Sequence, residues 1–213
     1  MSGCPNSWGT MLGMEIKGIN YESHQVDSDM LKEESSSFHP LDPRSKVPVL
    51  QDGDTFIHES IAILVYLEMK HSKTPLFGIN PKQTAIIWQR VFEVVNNFRD
   101  PLLVGITRPI FKGNGAEIEQ NAVDKMHELL QWVDKILLDS SYLAGKIISA
   151  ADVVYMPFVQ SLLRATALVD ANKLNLKIFP LDNTYPNISM WLKRIELKPG
   201  YNKTYPSHWK VMK

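Results

Sequence analysis

The spacing of apolar residues near the N terminus predicts a helix followed by a strand. Apolar side chains recur every three to four positions from Cys4 to about Gly18, which is typical of an amphipathic helix that a glycine ends. From Ile19 to Val26 apolar and polar side chains alternate, which is typical of a strand. The polar stretch 28–45 then predicts a loop.

A hairpin and a second helix are predicted next. Two short apolar runs, 47–50 and 55–57, flank an Asp52-Gly53 pair that favours a tight hairpin turn. The segment Ser60–Glu68 is apolar enough to predict a helix directly after the second strand. Helix, strand, hairpin and helix in this order form a small β/α module.

Beyond this module the pattern becomes purely helical. Two stripes at helical spacing, within 87–102 and 118–137, predict two long helices. The apolar segment from Ser149 to about Ala171 predicts the central helix of a second domain. Ser149 with Asp152 forms a structural capping box. The predicted boundaries are 1–71 for the first domain, 72–83 for a linker and 84–213 for the second domain.

The amino-acid composition and charge limit the kinds of partner that the protein is expected to bind. Of 213 residues, 44% are hydrophobic and 22% charged, which is ordinary for a globular protein. Lys and Arg total 23, as do Asp and Glu, so no positive excess attracts nucleic acid or anionic lipid. The N terminus lacks the pattern of a signal peptide, and no apolar stretch is long enough to span a bilayer. We expect a cytoplasmic protein with neither nucleic-acid nor membrane partners.

Cysteine and histidine usage bears on redox chemistry and metals. Cys4 is the only cysteine, so no internal disulfide can form and a reducing compartment is expected. The six histidines show no ligand spacing with cysteines or acids, so we expect no bound metal.

The start of the first helix, CPNSW, offers a thiol at Cys4, an amide at Asn6 and a hydroxyl at Ser7. Backbone N–H groups without partners and the positive end of the helix dipole meet there, and such a place stabilises a thiolate of the protein or of a ligand. A mixed disulfide at Cys4 would need an outside thiol to resolve it. The alternative is that Cys4 is merely a small residue at a helix cap.

The start of the second helix presents a different chemistry. Glu59 and Ser60 combine a carboxylate, a hydroxyl and unpaired amides, to which an amino-acid head group can dock by both its charges. The alternative is an ordinary N-cap pair. Upstream, a cis bond between Val47 and Pro48 would turn the backbone of Val47 outward to pair with an extended ligand.

These pieces resemble the soluble glutathione transferases over nearly the whole chain. VPVLQDGDTFIHESIAILVYLE resembles their glutathione-site region, YLAGKIISAADVVYMPF is similar to their core-helix capping motif, and KGINYESHQVD is similar to their second strand. The resemblance implies an α/β thioredoxin-like N-terminal domain that binds glutathione. It also implies an all-helical C-terminal domain that contributes the pocket for a hydrophobic electrophile, and assembly as a homodimer.

The resemblance also implies roles for single residues in binding glutathione. Val47 would pair with the cysteinyl backbone of glutathione after a cis Pro48, and Glu59 with Ser60 would hold the γ-glutamyl group. Lys46 would face the glycyl carboxylate, and the second candidate for that end is His39.

The catalytic position follows from the same resemblance. The family places a Tyr, Ser or Cys beside the glutathione sulfur, so Cys4 is the first candidate, followed by Asn6 and Ser7. CPNSW resembles both cysteine-type, omega-like classes and bacterial nu-like enzymes. Two features depart from the family: Gly9-Thr10 replace a basic residue, and only three residues precede Cys4 where a complete member has a β-strand. We therefore expect a truncated first strand.

The implied activity is detoxifying transfer of glutathione to an electrophilic small molecule, with glutathione as co-substrate. The pocket for the electrophile would be lined by Phe98, Leu102, Thr107 and Phe111. If Cys4 is itself the nucleophile, the activity shifts to thiol transfer, reduction of mixed disulfides or dehalogenation. The remaining alternative is a non-catalytic binding member of the family.

Overall fold

A computed structural model describes residues 3–27, 30, 42, 44–113, 117–168, 174 and 176–212. The chain divides into two compact units, Met1–Leu76 with Lys198–Lys213, and Phe77–Leu197. The C-terminal residues thus belong to the first unit, whereas the sequence pattern groups them with the helical domain. The domain boundaries given above stay a prediction.

The helices in chain order are α1 Pro5–Lys17, α2 Ser60–Lys70, α3 Pro81–Glu93, α4 Arg99–Leu102, α5 Arg108–Phe111, α6 Gln120–Leu138, α7 Ala150–Thr166, α8 Leu181–Thr184, α9 Pro186–Glu196 and α10 Tyr201–Thr204. Two π-helical turns, Val94–Phe98 and Leu103–Thr107, and a 3-10 turn, Ser207–Met212, complete the helical segments. Strands β1 Val49–Asp52 and β2 Thr55–His58 form an antiparallel ladder. Among the described residues, no helix is both long and apolar enough to cross a membrane.

The first helix and the hairpin lie where the sequence predicts them. Helix α1 ends at Gly18, whose φ of +67° is the left-handed conformation that glycine adopts without strain. Asp52 pairs with Thr55 across the two-residue hairpin loop. The strand predicted over Ile19–Val26 is wrong, because these residues join no ladder and β1 and β2 pair only with each other in the described chain. A strand is held by its neighbours, and alternation alone does not supply one.

Close packing of α1 on α2 forms the core of the first unit. A Cβ at Gly13 would lie 2.5 Å from the Cδ2 atom of Leu64, so a larger residue at position 13 would force the buried Leu64 side chain to move. Met14, Ile63 and Leu67 form the buried cluster beneath, and apolar side chains of the hairpin pack against it. The hairpin and both helix starts are therefore held in one small unit, as in a thioredoxin-like domain.

The second unit is all-helical, which confirms the predicted fold class of a thioredoxin-like domain with a helical domain. The first helix predicted for the second domain is α3. It begins at Pro81, and the side chain of Asn80 caps it by accepting a hydrogen bond from the N–H of Gln83 at 3.0 Å. Its helical conformation continues through both π-helical turns to Phe111, further than the pattern predicts. Long helices at 120–138 and 150–166 are also confirmed.

The predicted capping box of α7 is present and is part of a larger network. Asp152 is fully buried, and its carboxylate accepts hydrogen bonds from the N–H and the hydroxyl of Ser149 at 2.8 and 2.9 Å. It also accepts from the N–H of Leu143 and from Nε1 of Trp191, both at 2.9 Å. One carboxylate thus ties the start of the central helix to a preceding loop and to α9.

Candidate functional site

The structure brings Cys4 next to Val47. Cys4 is the N-cap of α1 with an extended backbone, and its Sγ lies 4.0 Å from the carbonyl oxygen of Val47. The Val47–Pro48 peptide bond is cis, the isomer expected there. A half-buried thiol at a helix start therefore faces the backbone of the bend that precedes β1.

Asn6 and Ser7 lie in the first turn of α1, directly after Cys4 and Pro5. Both are half-buried, and the carbonyl oxygen of Asn6 accepts a hydrogen bond from the hydroxyl of Thr10 at 2.9 Å. Their side chains stand at the same helix start as the thiol. The three predicted catalytic candidates therefore share one place in the fold.

Glu59 lies at the junction of β2 and α2 in an uncommon backbone conformation. Its φ is +66° and its ψ is 117°, a region in which a residue with a side chain is strained by about 1–3 kcal/mol. Its carboxylate makes no capping hydrogen bond and is 65% exposed, while its carbonyl oxygen accepts from the N–H of Ile63 at 2.9 Å. An ordinary N-cap is thus excluded for the Glu59 side chain, and Ser60 begins the helix beside it.

Two residues of this site were not predicted from the sequence. Arg44 donates from Nη1 to Oε1 of Glu59 at 2.9 Å and from Nε to Oδ1 of Asp42 at 3.2 Å. Asp42, only 1% exposed, also accepts from the backbone N–H groups of Arg44 and Lys46 at 3.0 and 3.2 Å. The DPRSK run could have suggested this turn, because an aspartate often binds the backbone two residues onward.

The electrostatics of this turn favour an ionised Asp42. Burial raises the pKa of its carboxyl, but the hydrogen bonds from Arg44 and Lys46 together with the Arg44 charge outweigh burial and hold the pKa below its ordinary value. The ionised carboxylate fixes the segment that leads into Val47. It also orients Arg44 toward Glu59.

Of the two remaining predicted binding residues, one joins this network only through its backbone and the other lies outside the described residues. The side chain of Lys46 is exposed, and only its backbone is held by Asp42. His39 lies outside the described residues.

The residues predicted to line the second-substrate pocket differ in exposure. Phe98 and Leu102 are buried in the interior of the helical unit, where Phe98 packs edge-on against Tyr155 at 5.2 Å. Thr107 is also buried, and its hydroxyl has no hydrogen-bond partner within the described part of the chain. Phe111 is 47% exposed. Of the four, Phe111 is the one that solvent and a small molecule reach most readily.

Over the described ranges, no cluster of three or more His, Cys, Asp or Glu side chains could hold a metal ion.

Comparison with known proteins identifies the family. Residues 3–70 match the glutathione S-transferase N-terminal domain, and residues 116–194 match the glutathione S-transferase C-terminal domain. With both domains of one family matched in order, the chain belongs to the glutathione S-transferase superfamily, which confirms the resemblance read from its motifs.

Individual relatives are similar to this chain over most of its length. The chain is 27% identical to glutathione S-transferase D6 of Drosophila melanogaster, covering 95% of this chain and 88% of the relative. It is 28% identical to glutathione S-transferase 4 of Zea mays, covering 91% and 84%. Among solved structures, a glutathione S-transferase from the Antarctic clam Laternula elliptica is 29% identical with a TM-score of 0.80, covering 98% of this chain and 91% of that one.

Proposed function

We propose that this protein is a glutathione transferase, which binds reduced glutathione and activates its thiolate to attack a small hydrophobic electrophile. The observation that carries the proposal is the 4.0 Å approach of Cys4 Sγ to the Val47 carbonyl oxygen. Family membership supports it, since relatives matched over most of the chain are named glutathione S-transferases.

The ligand would lie along the segment from Val47 to the start of α2. The backbone of Val47 pairs with the cysteinyl unit of glutathione, like an added strand. The α-ammonium group of the γ-glutamyl unit of glutathione docks on the exposed carboxylate of Glu59. The α-carboxylate of the same unit is bound by Ser60 and the free amides of the helix start. Arg44 holds Glu59 in place for this contact. The glycyl carboxylate extends toward Lys46 or His39.

The chemistry takes place at the start of α1. There the positive end of the helix and the polar groups of Cys4, Asn6 and Ser7 stabilise the glutathione thiolate, and its proton leaves to solvent. The thiolate sulfur then forms a bond to the electrophilic atom, whose leaving group departs with the bonding electron pair. Among the four residues predicted to line the electrophile pocket of the helical domain, Phe111 is the most exposed.

A second candidate function uses the sulfur of Cys4 directly. The observation that favours it is that the only cysteine of the chain occupies the N-cap of α1. The Cys4 thiolate would attack a mixed disulfide and release the other thiol. Glutathione would then attack the substrate sulfur bound to Cys4, which releases the Cys4 thiolate and forms a disulfide between glutathione and that substrate thiol. A second glutathione would attack the glutathione sulfur of this disulfide, which releases the substrate thiol and forms oxidised glutathione. Disulfide exchange of this kind would fit the resemblance of CPNSW to the cysteine-type classes. The resemblance of CPNSW to nu-like enzymes favours conjugation instead.

The experiment that separates these functions begins with retention on immobilised glutathione. Retained protein is then assayed with an aryl halide for conjugation and with a hydroxyethyl mixed disulfide for exchange. Turnover of the aryl halide supports the transferase, and turnover of the disulfide alone supports the cysteine-type enzyme. Retention without either activity leaves a binding member of the family, and absence of retention overturns the glutathione site.

The cellular setting follows from the family and the composition. We propose a cytoplasmic homodimer that uses glutathione as co-substrate and needs no metal. Light scattering after size exclusion measures the dimer. Activity that survives treatment with a chelator is expected for chemistry carried by the thiolate alone.

A further inference from the structure

A C-terminal segment of the chain contacts α1 near its start, at Trp8 and in its last turn. This segment, residues 200–209, is called the C-terminal clamp below; it includes α10 and belongs to the first unit. It touches α1 at three places: the residue before the helix start, the side chain of Trp8 in the second turn, and Glu15 in the last turn.

The central contact encloses Trp8. Its indole is 1% exposed, and its Nε1–H donates to the hydroxyl of Thr204 at 3.2 Å. The rings of Tyr201, Tyr205 and Trp209 surround it at centroid distances of 5.9, 5.5 and 5.5 Å. Trp8 lies one turn after Cys4, and its backbone N–H donates to the Cys4 carbonyl oxygen at 3.0 Å. Holding Trp8 therefore holds the turn that begins at Cys4.

The two outer contacts fix the ends of the helix. A Cβ at Gly200 would lie 2.1 Å from Cβ of Glu15, so the clamp backbone touches the last turn directly, and Lys203 Nζ lies 2.6 Å from Oε1 of the same glutamate. At the other end, a Cβ at Gly3 would lie 3.0 Å from Cε1 of His208 and 3.1 Å from Nε1 of Trp209. The clamp thus reaches the residue next to Cys4.

This last contact distinguishes positioning from simple burial. Covering an apolar Trp8 requires rings around the indole, but it does not require the segment to continue past the helix start. His208 is exposed and adds little to the core, yet its ring lies against the residue that precedes Cys4. The clamp therefore restrains the segment whose position sets the gap between Cys4 and Val47.

We propose that the C-terminal clamp is a positioning element of the Cys4 site, with Thr204 and His208 as its positioning residues. The inference deepens the proposed function and rests on it in one respect, that the ligand at this site is glutathione. It makes the accessibility of the Cys4 thiol, and the affinity for a thiol ligand beside it, depend on the last residues of the chain.

Cys4 is the sole cysteine of the chain, so a thiol reagent reports on this residue alone. The test is alkylation of the full chain by iodoacetamide, with the rate followed by mass spectrometry of the intact protein. Thr204→Val removes the hydroxyl that binds Trp8 at nearly constant shape, and Thr204→Ser restores a hydroxyl. Thr166→Val is the matched control, because Thr166 is an equally buried helical threonine of the other unit. Each variant is alkylated with and without glutathione.

With the clamp loosened, the half-buried Cys4 becomes more accessible, so Thr204→Val is alkylated about fivefold faster, the factor expected for one lost hydrogen bond. Glutathione then protects it with an apparent dissociation constant raised about as much. Thr204→Ser and Thr166→Val behave like the wild-type protein.

A second variant guards against a Thr204→Val protein that does not fold. His208→Ala removes an exposed ring that lies against Gly3, so it is expected to fold and to accelerate alkylation of Cys4. Wild-type alkylation rates in folded Thr204→Val, or, if that variant does not fold, wild-type rates in His208→Ala, overturn the positioning role. If glutathione fails to protect the wild-type thiol, the proposed ligand is wrong, while the alkylation ratios still decide the role of the clamp.

Discussion

The sulfur of Cys4 and the carbonyl oxygen of Val47 lie 4.0 Å apart although 43 residues separate them in the chain. At this distance the thiol makes a weak hydrogen bond to an oxygen that an added strand would otherwise use. A ligand that pairs with Val47 must therefore replace this contact, and its own side chain then lies beside Cys4. The contact joins binding and chemistry in one place.

Replacement of Cys4 by serine separates the two candidate chemistries. Cys4→Ser removes the only nucleophilic sulfur of the protein but keeps a small polar group at the helix start. We expect disulfide exchange with a hydroxyethyl mixed disulfide to be abolished, while conjugation of an aryl halide persists because the glutathione thiolate is the attacking group there. Both activities are measured on the same preparation.

Cys4→Ala completes this comparison. If the hydroxyl of the serine variant stabilises the glutathione thiolate, alanine lowers conjugation below the level of serine. Retention of both activities in Cys4→Ser would make Cys4 a bystander and move attention to Asn6 and Ser7.

The affinity for glutathione is expected to depend on the carboxylate of Glu59. Glu59→Gln keeps the shape of the side chain but removes the charge that pairs with the ligand's ammonium group, so the dissociation constant should rise about tenfold. Asp54→Asn is the matched control, since Asp54 is an exposed carboxylate of the same unit. Equal affinities of the two variants, measured by calorimetry, would place the γ-glutamyl group elsewhere.

Acid should loosen the turn around Asp42. Its folded-state pKa lies below the ordinary value, so its ionised form stabilises the folded state; that contribution is present above the unfolded pKa of about 3.9 and is lost as pH falls through the folded pKa. Asp42→Asn lacks this group. The melting temperature of the variant should therefore fall less than that of the wild-type protein between about pH 5 and 3.

The same Asp42→Asn variant also tests the link between Asp42 and glutathione binding. At neutral pH, Asp42→Asn weakens the hold on Arg44 and should also reduce glutathione affinity through Glu59, because Arg44 bridges the two carboxylates. Parallel melting curves for variant and wild type across the acid range would argue against a stabilising ionised Asp42.

The sequence predicts local features of this protein well. The helical period before Gly18 gives α1, and the serine and aspartate three residues apart at Ser149 give the capping box, because both signals are complete within a few neighbouring residues. The thiol at the helix start and the acid–hydroxyl pair at Glu59–Ser60 are found for the same reason.

Contacts between distant segments are not predicted. The Trp8–Thr204 hydrogen bond joins residues 196 positions apart, and nothing in the Pro- and Tyr-containing C-terminal sequence indicates which helix it covers. In the chain Arg44 precedes the hairpin and Glu59 follows it, so their ion pair forms only when the hairpin folds. The wrong strand at Ile19–Val26 has the same origin, since alternation describes one segment and pairing requires two.

The carboxylate of Asp152 should be the most sensitive polar group of the helical unit. Asp152→Ala leaves the N–H groups of Leu143 and Trp191 and both donors of Ser149 without their acceptor in the interior. Because each buried donor without a partner costs about 1–3 kcal/mol, we expect unfolding free energy to fall by about 3 kcal/mol or more.

Asp134→Ala is the control for this variant. Asp134 accepts from the backbone N–H groups of Asn187 and Ile188 at the start of α9 but is only half-buried, so its loss should cost about 1 kcal/mol, as for an ordinary helix cap. Urea unfolding of both variants measures the difference. Equal losses would mean that water replaces the missing acceptor at Asp152 and that the network does not hold the central helix.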